Sequence, residues 1–370
     1  MVHYHLLQIY KQTTMKVTHL IMAFETGGSE TMLVDIMNRQ VENLDVSLIV
    51  INDIYNKELL LKIDKRVNIF LLKRKPSSRN IFKFLNLNWI LFRLRTNVIH
   101  IHNPSILKSI FFVGKKILTV HDVQTRNIKN NPNLISWLDG FDAIAAISNS
   151  VKKDIIDRGF RSVKKVFVIN NGVEIEKINN KPNNHLIDKF KIIQVSRLEH
   201  KKKGQHILLE AIRVLVYKKE ITKLSLDFIG VGESEDYLKK LVKSYKLENY
   251  VSFLGFKDRD YIYSNLCNYD LFVQPSLFEG FGLTVAEAMA AKVPVLVSNS
   301  GGPMEIIQND VFGYSFENGS VDDCVIALVK IMNIQKDEIK AITEKAFDRV
   351  CENYSVKSTV NNYYNLYKKK

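Results

Sequence analysis

Cysteine is scarce in this sequence, and no two cysteines lie close together. The 370 residues contain only Cys267, Cys324 and Cys351, without a C-x-x-C pair. This scarcity argues against a disulfide framework or a zinc site, and it fits a protein that works in a reducing compartment.

Long apolar runs are also lacking. A membrane-spanning helix needs roughly 18–20 consecutive apolar residues, and the best candidate, residues 106–120, is interrupted by Lys108, Lys115 and Lys116. The N-terminus has neither the basic region nor the long apolar core of a signal peptide. We therefore expect a cytoplasmic protein.

Two ligand-binding motifs are absent as well. Because the sequence has no GxGxxG fingerprint, it predicts no nicotinamide or flavin cofactor.

The net charge is +14, of which residues 1–180 carry +11 and the remainder +3. This imbalance indicates that the first half meets something anionic. A nucleic acid is one reading of the charge, but the basic half contains no recognised nucleic-acid-binding motif.

Strands and helices alternate along the whole chain, which predicts an α/β protein with doubly wound parallel sheets. Its length suits two domains of roughly 150–200 residues. We place an extension at residues 1–14, a first domain at 15–178, a second domain at 185–350 and a C-terminal segment at 351–370. The predicted strands of the first domain lie within 15–24 and at 46–51, 67–72, 98–102, 117–121, 143–147 and 166–169; those of the second lie at 190–196, 226–232, 251–255, 271–273, 293–297 and 313–316.

Polar residues follow several of these strands, where ligands of doubly wound sheets gather. They are His102, His121-Asp122, residues 148–150 and residues 171–172. The turn after the first strand carries Gly27-Gly28, which either lets the backbone approach a phosphate or simply makes a tight turn.

A basic segment with aromatic residues lies between the third and fourth strands. Residues 73–79 read KRKPSSR, and residues 80–95 read NIFKFLNLNWILFRLR. Such a helix is able to lie in a membrane interface beside anionic lipid. The alternative is an ordinary sheet-covering helix with a solvated basic end.

The most informative stretch is residues 274–303, which predicts a strand, a glycine loop, a helix from about Thr284 to Ala291 and another strand. Glu279 lies on the loop and Glu287 lies eight residues later, where the helix N-terminus favours an anion. Thr284-Val-Ala-Glu287 also fits a capping box, in which Glu287 would only close the helix end.

The sequence FEGFGLTVAEAMAAKVPVLVSNSGGPMEII, residues 278–307, resembles the glutamate-x7-glutamate signature of the family 4 glycosyltransferases. Arg197 followed by Lys203-Gly204 is similar to the diphosphate clamp of that family, although Lys201 and Lys202, which we expect to be solvated, are adjacent. The resemblance extends from Met15 onward and is weakest over residues 53–95. It implies the GT-B fold, in which two Rossmann-like domains face each other across a cleft.

The resemblance also implies roles for individual residues. Glu279 would bind the hydroxyls of the donor sugar, Glu287 the ribose, and Arg197 and Lys203 the diphosphate. The remaining donor contacts would come from Gly28, Gly255 near the base, and the amides of Phe281, Gly282 and Leu283. His121 would lie beside the reacting sugar, and its ordinary pKa near 6.5 would let it either orient a hydroxyl or exchange a proton with it. The catalytic set is thus His121, Glu279, Arg197 and Lys203.

The resulting expectation is a retaining glycosyltransferase that uses a nucleotide-sugar, most simply a UDP-sugar, without a metal or other cofactor. The acceptor would be a glycan or a lipid-linked glycan in cell-surface polysaccharide synthesis, met at the anionic inner face of a membrane. The C-terminal segment would be a helix that crosses back to the first domain. The alternatives are a nucleotide-sugar epimerase of the same architecture and a catalytically silent nucleotide-sugar-binding subunit.

Overall fold

The computed structural model describes residues 14–369 except for 77, 79, 123–136 and 182–188. The predicted extension, apart from Thr14, therefore lies outside the described residues. The chain separates into two compact units. The first comprises the residues up to Leu118 with Gly140–Asp142, and the second comprises the rest.

The first unit is built on parallel strands in the order β3-β2-β1-β4-β5. Its strands are β1 Lys16–Ile21, β2 Asp45–Asn52, β3 Asn68–Arg74, β4 Val98–Ile101 and β5 Lys115–Val120, the last of which ends in the second unit; its helices are α1 Gly28–Gln40, α2 Lys57–Leu61 and α3 Ile81–Leu94. The apolar run of β2 is buried at every position after Asp45, as expected for a strand that is covered on both faces.

After the end of β5, the second unit contains two parallel strands, β6 Ala143–Ala146 and β7 Val166–Val168, and the intervening helix α4 Asn149–Asp157. Six further parallel strands follow in the order β10-β9-β8-β11-β12-β13. They are β8 Phe190–Val195, β9 Leu224–Ile229, β10 Val251–Phe253, β11 Leu271–Gln274, β12 Val295–Ser298 and β13 Tyr314–Phe316.

Helices connect and follow the strands of the second sheet. They are α5 His200–Lys203, α6 Gln205–Lys218, α7 Glu235–Ser244, α8 Arg259–Asn265, α9 Leu283–Ala290, α10 Gly301–Ile307, α11 Val321–Met332, α12 Lys336–Asn353 and α13 Val356–Lys368. The core includes Leu208 and Leu215 of α6, Phe228 of β9 and Leu328 of α11, each at most 1% exposed. The expected pair of Rossmann-like α/β sheets is confirmed, and each predicted strand occurs within a few residues of its predicted ends. The domain boundaries drawn from the sequence stay a prediction.

No helix in the described part of the chain is long and apolar enough to span a membrane. Helix α3 combines the two alternatives that the sequence left open. Its residues Leu87, Ile90 and Leu91 are buried, while Phe82 and Phe92 are 72% and 83% exposed. One face therefore covers the sheet and the other is an apolar surface.

Candidate functional site

Glycines bring three loops of the second unit together after the carboxyl ends of β8, β11 and β12. A Cβ on Gly204 would lie 1.8 Å from the Pro275 carbonyl oxygen, and one on Gly301 would lie 2.3 Å from that of Glu279. Gly302 leaves no more room, since its Cβ would lie 2.4 Å from Phe281 Cα. Both Gly204 and Gly301 have positive φ angles, of 67° and 55°. The close backbone approach therefore requires glycine at these positions.

An ion pair lies where these loops meet. Lys203 Nζ donates a hydrogen bond of 2.6 Å to Glu279 Oε2, and Gln274 Nε2 donates another of 2.8 Å to the same oxygen. The two charged side chains are only 17% and 15% exposed. The structure thus joins two residues that the sequence singled out 76 positions apart, and it adds Gln274, which the sequence analysis missed.

The third charged residue of the predicted diphosphate site is oriented differently. Arg197 follows β8 and is exposed, and its guanidinium forms no hydrogen bond or ion pair with another described residue. Its backbone is fixed by a hydrogen bond, which Gln205 Nε2 donates to the Arg197 carbonyl oxygen at 2.9 Å. Arg197 therefore offers its fork of donors to solvent, and Lys203 is already paired.

The neighbouring lysines differ from each other. Lys201 is exposed, as expected, but Lys202 Nζ lies 2.5 Å from Asp122 Oδ2 and its side chain is only 28% exposed. The expectation that Lys202 is solvated is wrong. Residues 200–203 form the short helix α5 rather than a loop, so consecutive side chains point in different directions.

His121 and Asp122 lie beside the glycine loop. A Cβ on Gly280 would approach Asp122 Cα to 3.3 Å and the His121 carbonyl oxygen to 3.5 Å. Burial lowers the pKa of His121 from 6.5 to about 4, although the neighbouring Asp122 carboxylate acts in the opposite direction. The imidazole is thus neutral near pH 7, which corrects the expectation of an ordinary pKa near 6.5.

Glu287 lies in the second turn of α9 and is 4% exposed. Arg259 Nε donates to its Oε1 at 3.2 Å, and the Tyr263 hydroxyl donates to the same oxygen at 3.4 Å. The capping-box interpretation is wrong, because α9 begins at Leu283 with Gly282 at its N-cap and no side-chain cap. The sequence analysis missed Arg259, and no local pattern connects it with a glutamate 28 residues away.

The backbone positions predicted to contact the donor are placed as follows. Gly282 has a φ of 96° and precedes α9, which starts at Leu283, while Phe281 is 3% exposed. Gly255 also has a positive φ, of 69°, and its carbonyl oxygen accepts from Gly230 N at 2.9 Å. Gly28 is the first residue of α1 in the first unit, and a Cβ there would meet no atom of a described residue within 4 Å.

Hydrogen bonds from the segment after β6 fix the glycine loop and α10. Ser148 Oγ donates to the Gly280 carbonyl oxygen at 2.6 Å. Glu305 of α10 accepts from the backbone N–H groups of Asn149 and Ser150 at 2.8 and 2.6 Å, at the start of α4. A cavity of about 280 Å³ borders Glu279, Ser300 and Gly301.

Comparisons with known proteins agree with this arrangement. The family model "Glycosyl transferases group 1" matches residues 176–349, and the model "Glycosyltransferase Family 4" matches residues 26–177. The chain belongs to the family 4, group 1 glycosyltransferases. It is accordingly a glycosyltransferase enzyme.

Relatives of this glycosyltransferase are named for glycan synthesis. One is the Campylobacter jejuni N-acetylgalactosamine-N,N'-diacetylbacillosaminyl-diphospho-undecaprenol 4-alpha-N-acetylgalactosaminyltransferase, 28% identical over 89% of this chain and 95% of the relative. Another is the amylovoran biosynthesis glycosyltransferase AmsK of Erwinia amylovora, 29% identical over 62% of this chain and 58% of the relative. HepE of Anabaena, solved with UDP and glucose, has the same fold, with a TM-score of 0.81, 20% identity and coverage of 96% and 100%.

Proposed function

We propose that this glycosyltransferase transfers a sugar from a UDP-sugar to a lipid-linked glycan, with retention of the anomeric configuration. The observation that carries the proposal is the ion pair between Lys203 and Glu279, with a distance of 2.6 Å from Nζ to Oε2. Glu279 lies on the glycine loop that leads into α9. A cation and a sugar-binding carboxylate are thereby adjacent at a helix N-terminus, which favours a diphosphate. The UDP in HepE and the diphospho-undecaprenol in the name of the Campylobacter enzyme support the donor and acceptor classes.

Negative charge grows on the diphosphate as the sugar–phosphate bond breaks. In the proposed mechanism, Arg197 and Lys203 neutralise this charge together with the backbone amides of Phe281, Gly282 and Leu283. Preorganised donors of this kind typically contribute roughly 3–4 kcal/mol each to lowering a barrier. With two cations and a helix N-terminus at the diphosphate, we propose that transfer needs no metal ion.

The other polar groups hold and orient the two ends of the donor. Glu287 binds the ribose hydroxyls, and Arg259 fixes the orientation of its carboxylate through Oε1. Glu279 binds the donor sugar. His121, neutral near pH 7, orients a hydroxyl by hydrogen bonding rather than as a charged acid. Gly255 allows close approach of the backbone to the base, and the expected contact of Gly28 with the donor stays a prediction.

The acceptor proposal rests on the surface of α3. Ile81, Phe82, Leu85, Trp89 and Phe92 are 52–83% exposed, and Phe111 and Val113 are 76% and 98% exposed. Asn88 links these two groups, because its side chain bonds to Ser109 O and Phe111 N. We call the seven apolar residues the α3 surface.

Exposed cations lie near the residues of the α3 surface in the chain. Arg93 lies over the Trp89 ring at 5.2 Å, and Lys73, Lys75, Arg95 and Lys108 are also exposed. Aromatic side chains flanked by cations suit the interface of a membrane with anionic lipid. We propose that this surface brings the enzyme to the inner face of the membrane where a lipid-linked acceptor lies.

The donor class is tested by calorimetry with UDP, GDP, ADP and their sugar conjugates, on the wild type and on Glu287→Ala. We expect one diphosphate to bind tightly and the substitution to weaken it. Absence of binding across the panel, in protein shown to be folded, would overturn the proposal.

An acceptor assay separates transfer from the alternatives. Consumption of the donor sugar without an acceptor, with an isomerised sugar as product, would indicate an epimerase. Binding without turnover would indicate a silent subunit. The family match gives no support to an epimerase, and Arg197, Lys203, Glu279 and Glu287 are all present.

A further inference from the structure

Three buried histidines lie on one face of the first unit's sheet. His19 of β1 and His100 of β4 are register partners on neighbouring strands, and His102 follows two residues later. Side chains two residues apart on a strand point to the same face. His19 and His100 are fully buried, and His102 is 8% exposed.

The three imidazoles lie close together, with ring centroids 4.6–5.4 Å apart. One ring nitrogen from each lies within 4.8 Å of the others. The distance from His19 Nδ1 to His102 Nε2 is 3.1 Å. Two nitrogens held at ~2.0–2.1 Å from a single tetrahedral ion lie roughly 3.3 Å apart. This pair therefore already has about the spacing of metal ligands. The His100 ring lies 4.8 and 4.6 Å from the His19 and His102 rings, and it would have to turn to complete the set.

Gln40 prepares His19 to act as a ligand. Its Oε1 lies 2.8 Å from His19 Nε2, and Gln40 is itself only 1% exposed at the end of α1. Because an amide oxygen only accepts, Nε2 carries the proton and Nδ1 presents its lone pair to His102. A hydrogen bond from the non-ligating nitrogen is the usual support of a metal-binding histidine.

We propose that His19, His100 and His102 form a binding site for a first-row transition-metal ion of the Zn²⁺ class. Three neutral imidazoles and no thiolate suit zinc, copper, iron or nickel. In the free protein, His102 Nε2 carries the proton that it shares with His19 Nδ1. On metal binding this proton moves to Nδ1 of His102, so that both imidazoles stay neutral. The ion would join β1 to β4 and would take no part in sugar transfer. Because His19 lies 81 and 83 residues before His100 and His102 in the chain, cysteine and motif counting does not reveal the site.

The test uses tag-free full-length protein and Zn²⁺ as the probe. After removal of metal with a chelator, equilibrium dialysis is expected to return about one Zn²⁺ per chain to the wild type. Co²⁺ is expected to give the absorption bands of a tetrahedral nitrogen site. His19→Asn and His102→Asn should lose both signals, whereas His206→Asn, a half-buried histidine of the second unit, should keep them. The melting temperature of the wild type, and not of the two variants, should rise with Zn²⁺.

A variant that keeps all three ligands covers the case in which the histidine variants do not fold. Gln40→Leu is expected to weaken Zn²⁺ binding by roughly 10- to 100-fold. Wild-type protein that binds no Zn²⁺, or binding that survives both His19→Asn and Gln40→Leu, would overturn the proposal. The first result would leave the three residues as a hydrogen-bonded structural cluster. Zn²⁺ binding is measured without donor or acceptor, so its outcome is independent of the proposed transferase substrates.

Discussion

Lys203 and Glu279 form a hydrogen-bonded ion pair of 2.6 Å, with Glu279 also held by Gln274. Both charged side chains are mostly buried, so each compensates the other for lost hydration. A diphosphate arriving at Lys203 would supply a second anion, and the sugar would supply hydroxyls to Glu279. In the proposed mechanism, the pair would thus hold both groups in position for the donor before it binds.

The first prediction concerns this pair. Replacing Lys203 by Met should reduce kcat/KM by about 10²–10³-fold, because one preorganised cation is lost from the developing diphosphate charge. The measurement is steady-state transfer with saturating acceptor. Lys201→Met is the matched control, since Lys201 is exposed two residues away, and it should change the rate little. Equal activities of the two variants would remove Lys203 from the mechanism.

The second prediction assigns a positioning role to Arg259. Charge-assisted hydrogen bonds to a buried carboxylate are worth about 1.5–3 kcal/mol, so Arg259→Ala should weaken UDP binding roughly 10- to 100-fold by calorimetry. Arg259→Lys should recover only part of the affinity, because lysine lacks the planar fork.

The control for Arg259 is Arg213→Ala, which removes an ion pair with Glu210 on the surface of α6. It should leave UDP affinity unchanged. If Arg213→Ala weakens UDP binding as much as Arg259→Ala, the effect comes from general destabilisation rather than from Glu287.

The sequence predicted the sheets well and the side-chain network poorly, for physical reasons. A strand such as β2 is buried at every position after Asp45, and its sequence is therefore a nearly continuous apolar run that predicts a strand. The contact between Arg259 and Glu287 depends on the packing of α8 against α9. Such packing between two helices produces no periodic pattern in the sequence. Lys202 likewise differs from Lys201 only because α5 turns it towards Asp122.

The capping box failed for a related reason. Thr284 and Glu287 have the right spacing for a capping box. The N-cap is however Gly282, in a left-handed conformation, so the helix starts at Leu283, one residue before Thr284. Thr284 Oγ1 is instead bonded to Gln274 Oε1 at 3.3 Å. The start of the helix is therefore set by the positive φ of Gly282, which only glycine adopts readily, and not by the spacing of Thr284 and Glu287.

The third prediction concerns Gly204. Its φ is positive, and a Cβ added at this position would lie only 1.8 Å from Pro275 O, so Gly204→Ala meets both backbone strain and a clash with backbone. We expect a loss of at least ~3 kcal/mol in the free energy of unfolding. Gly159→Ala is the control, because Gly159 has a φ of 94° but a Cβ there would meet no atom within 4 Å among the described residues. That change should cost only about 1–2 kcal/mol, and equal losses would contradict the close approach.

The fourth prediction is a pH dependence of stability from His121. Its folded-state pKa of about 4 lies below the unfolded value of 6.5, so the unfolded chain binds the extra proton between these values. The contribution to stability is present above pH 6.5 and is lost as the pH falls towards 4. Between pH 6.5 and 5 this site alone should lower the free energy of unfolding by about 1–2 kcal/mol.

Urea unfolding at several pH values checks the His121 effect. His121→Asn should show a shallower dependence over pH 4–6.5 than the wild type, measured in the presence of a chelator. Asp122, which bonds to Lys202, stays in both proteins. Identical slopes would show that His121 titrates normally in the folded protein.

The fifth prediction tests the membrane role of the α3 surface. Replacing Phe82 and Phe92 by Ser removes two side chains that are 72% and 83% exposed, so folding should be little affected. Sedimentation with vesicles rich in anionic lipid should fall severalfold, because burial of aromatic area in the interface is lost. Leu61→Ser is the control, since Leu61 is 85% exposed on α2 but is not part of the α3 surface. Transfer to a water-soluble acceptor should be unchanged in all variants, while transfer to a lipid-linked acceptor in vesicles should fall with binding. If wild-type protein shows no preference for anionic over neutral vesicles, the α3 surface does not recognise the membrane, and the acceptor must reach the enzyme in another way.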